Sequence, residues 1–181
     1  VFLFLQDWRS TLIPAIAVPV AIVGTFFFLD LFGFTINLIT LFALVLAIGI
    51  VVDDAIVVVE AVHAKLEQGA TSAKQAAVEA MGEITGAIIS ITLVMAAVFV
   101  PVSFISGSAG VFYKQFGLTL AIAIILSAIN ALTLSPVLCA LLLNPHAAHG
   151  QPQKNFLQRF YAGFNAAFEV TTGRYRKVVA Y

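Results

Sequence analysis

The feature that most constrains this chain is the length of its stretches without Asp, Glu, Lys or Arg. Four such stretches cover residues 10–29, 31–52, 84–113 and 115–153. Each can contain a segment of about 20 apolar residues, the length that crosses roughly 30 Å of hydrocarbon. Apolar residues make up 61% of the chain and charged ones 10%, whereas about 25% of a soluble domain is charged. We therefore expect the chain to lie in a bilayer.

The fold class follows from the pattern inside these stretches. Backbone groups in lipid must be hydrogen-bonded within the protein, so only helices and closed barrels span a membrane. Polar and apolar residues do not alternate here, which favours helices over barrel strands. We predict an all-α, polytopic membrane helix bundle with about four complete transmembrane helices. Within a transmembrane region of residues 1–143, the spans are placed near residues 12–31, 38–59, 84–102 and 116–138.

The remaining segments suggest a fragment of a larger membrane protein. Residues 1–5 are apolar and look like the end of a further span. Residues 144–154 read as a linker from their Pro, Gly and polar content. In residues 155–181 a Phe recurs every four positions from Phe156 to Phe168, which predicts an amphipathic helix on the cytoplasmic surface of the membrane. The alternative is a soluble helix that packs its rings on another part of the protein.

The connection between the second and third spans carries signals for a helix start. Ser72 and Gln75 have the spacing of a capping box. We expect a helix to begin near Ala73, and Gly82 is a candidate break point before the third span.

The basic residues predict the orientation. With four helices in series the connections alternate sides, and the side richer in Lys and Arg is expected to be cytoplasmic. Only Lys114 falls on one side. The stretch around Asp7, the 60–83 connection and the C-terminal tail are therefore assigned to the cytoplasm. They carry Arg9, Lys65, Lys74, Lys154, Arg159, Arg174, Arg176 and Lys177.

Composition also limits the partners and cofactors. Nine basic residues balance nine acidic ones, so net charge gives no reason to expect nucleic acid as a partner. The lone Cys139 has no partner for a disulfide. His146 and His149 lie in the linker without a Cys or carboxylate nearby, so we predict no metal site. No cofactor and no enzymatic activity are expected.

The main chemical signal is a pair of adjacent acids inside an apolar helix, Asp53 and Asp54. Each would cost about 2.5–3.5 kcal/mol near the centre of a span on insertion scales. Two adjacent carboxylates in a low-dielectric site repel each other and favour proton uptake. No span offers a Lys or Arg as counter-ion. Either the pair is largely protonated, or its counter-ion belongs to a helix outside this sequence.

Gly49 lies four residues before Asp53 and thus on the same helix face. A glycine there lets another helix approach closely, or leaves a wet gap from which protons reach the acids. The plainer alternative is that Asp53 and Asp54 only hydrogen-bond across the bundle, although one Asn would do that at lower cost. An intramembrane aspartyl protease needs its acids on two facing helices, whereas these are adjacent on one.

The sequence GIVVDDAIVVVE (residues 49–60) resembles the fourth transmembrane helix of resistance-nodulation-division (RND) exporters. The likeness is to the hydrophobe/amphiphile multidrug efflux pumps of Gram-negative inner membranes. Further similar segments extend it from the end of the second helix through the sixth helix and the cytoplasmic surface helix. These segments are RSTLIP (9–14), VPV (18–20), FGFTIN (32–37), VFVP (98–101), YKQF (113–116) and LSPVLCA (134–140).

The resemblance implies proton/drug antiport, with Asp53 and Asp54 as the proton relay. It also implies a homotrimer in the inner membrane that works with a periplasmic adaptor and an outer-membrane channel. Its drugs would be hydrophobic or amphiphilic and would bind in porter regions that this sequence lacks, along with the second half and its lysine partner for the aspartates. Membrane lipids would surround the helices. An RND transporter of lipids, a protein-secretion accessory and a transport-dead fragment remain as alternatives.

Overall fold

The computed structural model describes residues 7–107 and 109–143, together with Thr172. These residues form helices and no strand: α1 (Trp8–Leu31), α2 (Leu38–Glu67), α3 (Ala73–Val102), α4 (Gly110–Leu132) and α5 (Leu134–Leu142). Taking α4 and α5 as one segment, four are long and apolar enough to cross a membrane. The predicted all-α, polytopic membrane helix bundle is confirmed. The linker at 144–154 and nearly all of the surface helix predicted at 155–181 lie outside the described residues.

Polar side chains at the boundaries explain where the first three helices begin. Asp7, Asn37 and Ser72 each have extended backbone and accept a hydrogen bond from an N–H of the first turn. Asn37 and Thr40 complete a reciprocal capping box. Asn37 also donates from Nδ2 to Gln115 Oε1 of α4 at 2.7 Å. The cap of α2 therefore fixes the position of α4 at the same end of the bundle.

The start of α3 agrees with the sequence, but two details differ. Gln75 does not reach back to complete a capping box, because its side chain bonds Thr71 and Glu79 instead. The candidate break at Gly82 is wrong, since α3 continues from Ala73 to Val102. A glycine inside a helix costs only about 1 kcal/mol relative to alanine, which the continuous hydrogen bonding of a long helix tolerates.

Two buried apolar clusters hold α2 against the other helices. One lies in the half of α2 before the acids and packs Ala43 and Ala47 on Leu120 and Ile124 of α4. The other lies after the acids, where Val58, Val59 and Val62 pack on the first turns of α3 and on α5. Small side chains let helix axes approach closely in a membrane. Asp53 and Asp54 thus occupy the interval between two tightly packed regions of one helix.

The fourth apolar segment is divided into α4 and α5 at Thr133, whose φ of −120° and ψ of −64° are not helical. The interruption places Pro136 in the first turn of α5. There the missing N–H of proline leaves no hydrogen bond unmade, whereas in a continuous helix it would. The short α5 then packs on α1 and α3 and buries Cys139 completely.

Candidate functional site: an acid pair inside α2

The two aspartates project from α2 in different environments. Asp54 is partly buried and points toward α4, whereas Asp53 is exposed on the outer surface of the described bundle. Adjacent residues in a helix differ by about 100° in direction, so one of any such pair faces away when the other faces a neighbour. The pair therefore combines one carboxylate within the bundle and one on its surface.

Asp54 is joined to α4 by a hydrogen bond from Ser127. The Ser127 hydroxyl donates to Asp54 Oδ2 with an Oγ–Oδ2 distance of 2.5 Å. Ser127 is only 1% exposed, so no water competes for this hydroxyl. A hydrogen bond to an ionised acceptor is shorter and stronger than one between neutral groups. The contact links the charge state of Asp54 to the packing of α2 against α4, the two helices in most extensive contact.

Asp53 and Gly49 share an open face of α2. Both residues are exposed, and a Cβ added to Gly49 would meet no other atom within 4 Å. Within residues 7–107 and 109–143, Asp53 forms no hydrogen bond, and the single ion pair there joins Lys65 to Glu83. The face is thus open to whatever lies beside α2, whether another helix, lipid or water.

Ser127 was not recognised as a site residue in the sequence. A single hydroxyl in an apolar helix carries no charge and is common in membrane helices, so it does not by itself indicate a site. Its spacing does contain a signal, because Leu120, Ile124, Ser127 and Ala131 follow one another at intervals of four, three and four residues. That pattern marks the buried stripe of α4. A hydroxyl on such a stripe needs a polar partner on the facing helix.

One cavity lies at the other end of α2 from the acids. It has a volume of about 710 Å³ and lies between the α1–α2 turn, α3 and α4. Phe32, Phe34, Lys114 and Gln115 contribute to its lining. The cavity does not contact the aspartates. In the described part of the chain, no group of three His, Cys, Asp or Glu side chains could hold a metal ion.

Fold and site together define a class. The chain is part of a polytopic α-helical membrane protein that carries a carboxylate pair inside an apolar helix, an arrangement typical of ion-coupled transporters. The family model described as "AcrB/AcrD/AcrF family" matches residues 1–181. The chain belongs to this family, within the RND superfamily of the resemblance.

Curated relatives agree with this assignment. The chain is 45% identical over 178 residues to the multidrug export protein AcrF of Escherichia coli strain K12, covering 98% of the chain and 17% of that protein. It is 47% identical over 174 residues to the multidrug resistance protein MdtF of the same strain, covering 96% of the chain and 16% of MdtF. The toluene efflux pump membrane transporter TtgE of Pseudomonas putida is 43% identical over 178 residues, 98% of the chain and 17% of TtgE. The chain thus spans about one sixth of their length.

Proposed function

We propose that this chain is the transmembrane part of a proton-driven multidrug efflux transporter, in which Asp53 and Asp54 relay protons. The observation that carries the proposal is the hydrogen bond from Ser127 to Asp54, with a second carboxylate beside it that has no partner among the described residues. The names of AcrF, MdtF and TtgE support export as the activity of the complete protein. We infer a transporter rather than an enzyme.

The cost of the acid pair supports proton exchange over simple helix adhesion. A single Asn at position 54 would accept the Ser127 hydrogen bond without a charge. Two carboxylates instead cost about 2.5–3.5 kcal/mol each on insertion into lipid. Such side chains within membrane helices generally mark ion or proton pathways. The acids are therefore best explained by a function that needs a titratable group.

Protonation would change how α2 packs on α4. When Asp54 is ionised, its carboxylate accepts a hydrogen bond from the Ser127 hydroxyl. When it is protonated, the carboxyl is a weaker acceptor and has an O–H donor of its own. A cycle of uptake and release thus loosens and restores a contact between two helices. One charge that crosses 100 mV supplies about 2.3 kcal/mol, comparable to a hydrogen bond to a charged group at about 1.5–3 kcal/mol.

The family resemblance and the charge distribution support a proposal for location and partners. We place the chain in the bacterial inner membrane as a multi-pass protein, with the start of α1, the α2–α3 connection and the C-terminal tail in the cytoplasm. Hydrophobic or amphiphilic drugs would bind in regions of the complete protein outside this sequence. A homotrimer, a periplasmic adaptor and an outer-membrane channel belong to the same proposal. Gly49 is proposed as the place where another helix or water approaches the acids.

The test uses the full-length protein that contains this chain. Asp53→Asn and Asp54→Asn are each expected to abolish drug export in a susceptibility assay while membrane insertion stays intact. Asp30→Asn is the matched control, since Asp30 is an exposed carboxylate at the end of α1. Wild-type resistance in either Asp53 or Asp54 variant would refute the relay. A wild-type protein that exports no drug but moves lipid would point to a different branch of the superfamily.

A further inference from the structure

A hydrogen-bonded cluster of three side chains joins the start of α1 to the last turns of α2. Asp7 Oδ2 accepts from the backbone N–H of Ser10 at 3.0 Å and from the Ser10 hydroxyl at 2.6 Å. The same hydroxyl oxygen lies 2.6 Å from Nε2 of His63. Ser10 is 0% exposed, so these two groups rather than water satisfy its hydroxyl.

The donors in this cluster can be assigned from the proton count. A serine hydroxyl has one proton, and here it is donated to Asp7. Burial acts to raise the pKa of Asp7, but hydrogen bonds from Ser10 and Arg9 and the charge of His63 outweigh it and hold the pKa below the ordinary 3.8. Asp7 is therefore ionised near neutral pH and can only accept. His63 must donate to Ser10 through Nε2.

This assignment leaves Nδ1 as the exchanging atom of His63. The Nε2 proton is present in both the neutral ring and the imidazolium, so the hydrogen bond to Ser10 survives a change in charge. Nδ1 forms no hydrogen bond within the described residues, and His63 is only half-buried. Histidine is the side chain whose charge ordinarily changes between pH 5 and 8. The geometry suits proton exchange better than a switch, which would require a contact to break.

The histidine of this cluster lies on the same helix as the acid pair, closer to the C-terminal end of α2. His63 follows Asp53 by ten residues, about 15 Å along α2 at 1.5 Å per residue. A groove of about 360 Å³ runs between α1 and α2 from Thr11, next to Ser10, to Val52, next to Asp53. Val52 and His63 are eleven residues apart, about three helical turns, and so share one face of α2. The groove is thus lined by a chain neighbour of Ser10 at one end and by a chain neighbour of Asp53 toward the other, and not by the cluster or the acids themselves.

Other charged groups at this end of the bundle form no hydrogen bond with His63, although Glu60 and Glu67, three and four residues away, lie beside it on α2. Lys65 Nζ binds Glu83 Oε1 at 2.5 Å, and Arg9 Nη1 donates to the Leu142 carbonyl at 3.4 Å. The described part of α5 carries no charged side chain, and that of α4 carries only Lys114 at its far end. The charged residues that remain on α2 and α3 near this end are Glu60, Glu67, Lys74 and Glu79. Among the described groups, Asp7 is the charge linked to His63.

We propose that His63 is the proton-exchange residue between the acid pair and the cytoplasm, with Ser10 and Asp7 as its positioning residues. A proton released from Asp53 or Asp54 reaches Nδ1 through water and converts the neutral ring to imidazolium. The imidazolium then gives that proton to cytoplasmic water and becomes neutral again. This inference rests on the proposed function, because it assumes both proton coupling and the orientation of α2.

The test measures drug-driven proton flux through the full-length protein in proteoliposomes while the pH on the cytoplasmic side is varied. In the wild type, flux is expected to fall as that side is acidified from pH 8 to 5, because release of a proton to that side becomes less favourable. His63→Gln keeps a donor for Ser10 but cannot exchange a proton. Its flux at neutral pH is expected to drop about tenfold relative to the wild type at the same pH gradient, and its dependence on cytoplasmic pH is expected to be less steep than that of the wild type.

Three further variants separate this role from a structural one. Asp7→Asn keeps the helix cap but removes the charge that is linked to His63 through Ser10, so the pH profile of flux is expected to differ from that of the wild type. Lys65→Gln removes a charge two residues from His63 and is expected to leave the profile unchanged. Imidazole added on the cytoplasmic side is expected to restore flux in His63→Ala.

Two results would overturn the proposal: a His63→Gln profile with the wild-type pH dependence, or no rescue of His63→Ala by imidazole. Failure of the proposed function looks different, because flux would then persist in Asp54→Asn. A folded trimer in size-exclusion chromatography qualifies each variant for the comparison.

Discussion

At the scale of single residues, the hydroxyl of Ser127 controls the environment of the more buried acid. It is the only described donor to the Asp54 carboxylate, and it is enclosed between α2 and α4. A buried carboxylate that loses a donor keeps its desolvation penalty without compensation. Removal of this one hydroxyl should therefore leave Asp54 without a described partner and weaken the contact between α2 and α4.

We predict that Ser127→Ala destabilises the full-length protein in detergent by about 1–3 kcal/mol, because the partly buried Asp54 carboxyl loses its hydrogen bond to α4. Thermal unfolding measures the loss. Ser90→Ala is the control, since Ser90 bonds the Gly86 carbonyl of its own helix. Equal stabilities of Ser127→Ala and the wild type would show that the hydrogen bond does not stabilise the contact between α2 and α4.

Among single residues, the sequence predicts the two acids of the site but not their partners. Asp53 and Asp54 stand out because charge inside an apolar stretch has an energetic cost that any fold must meet. Their roles as a proton relay, like that of Gly49, stay predictions. The sequence does not predict the contacts of Ser127 and His63, because their partners lie 73 and 53 residues away in the chain. Periodicity indicates which face is buried, but it does not say which helix lies against that face.

At the scale of helices, close backbone approach sets the contact between α3 and α4. A Cβ on Gly117 would lie 3.0 Å from the carbonyl oxygen of Phe99 and 3.6 Å from the amide nitrogen of Ser103. Both atoms belong to the backbone and cannot rotate away. Gly86 in α3, by contrast, has no atom within 4 Å of the same position. The two glycines therefore differ in what an added methyl group would displace.

We predict that Gly117→Ala lowers the melting temperature of the full-length protein in detergent, whereas Gly86→Ala leaves it unchanged or raises it. Overpacking generally costs about 1–3 kcal/mol, and alanine in place of a helical glycine stabilises by about 0.5–1 kcal/mol. The two variants have the same chemistry, so helix propensity cancels in the comparison. A Gly117→Ala protein that melts at or above the wild-type temperature would contradict the close approach.

The helices themselves were largely predictable, and their ends were less so. Uncharged stretches of this length must be helical in lipid, and the hydroxyl of Ser72 marks a helix start. Hydropathy indicates the part of a helix that lies in the membrane but not where the helix itself ends. The helix α2 continues to Glu67, past the span placed at 38–59. The division at Thr133 likewise depends on where Pro136 falls relative to a helix start. No apolar pattern encodes that relation.

At the scale of the whole molecule, the helices differ in how much of their surface is covered. Only 6% of an 18-residue apolar stretch of α3 is buried, compared with 50% of the corresponding stretch in the segment formed by α4 and α5. Residues such as Leu93 and Val94 of α3 are about two-thirds exposed. Apolar side chains on that scale are stable only against lipid or further protein. The described helices thus form one bundle whose outer faces need lipid or further protein to cover them.

The orientation of this bundle can be tested by labelling single cysteines in cells with a membrane-impermeant maleimide. Lys and Arg collect at the end of the bundle that holds the α2–α3 connection, and such residues are retained in the cytoplasm. Cysteine at Thr35 or Ser106, both exposed at the opposite end, is expected to label from the periplasm once the outer membrane is permeabilised. Cysteine at Gln68 or Thr71 is expected to label only after the inner membrane is disrupted. Cys139 is 0% exposed and should give little background in the wild type. Labelling of Gln68→Cys or Thr71→Cys in cells with an intact inner membrane would reverse the orientation and, with it, the direction of proton flow past His63.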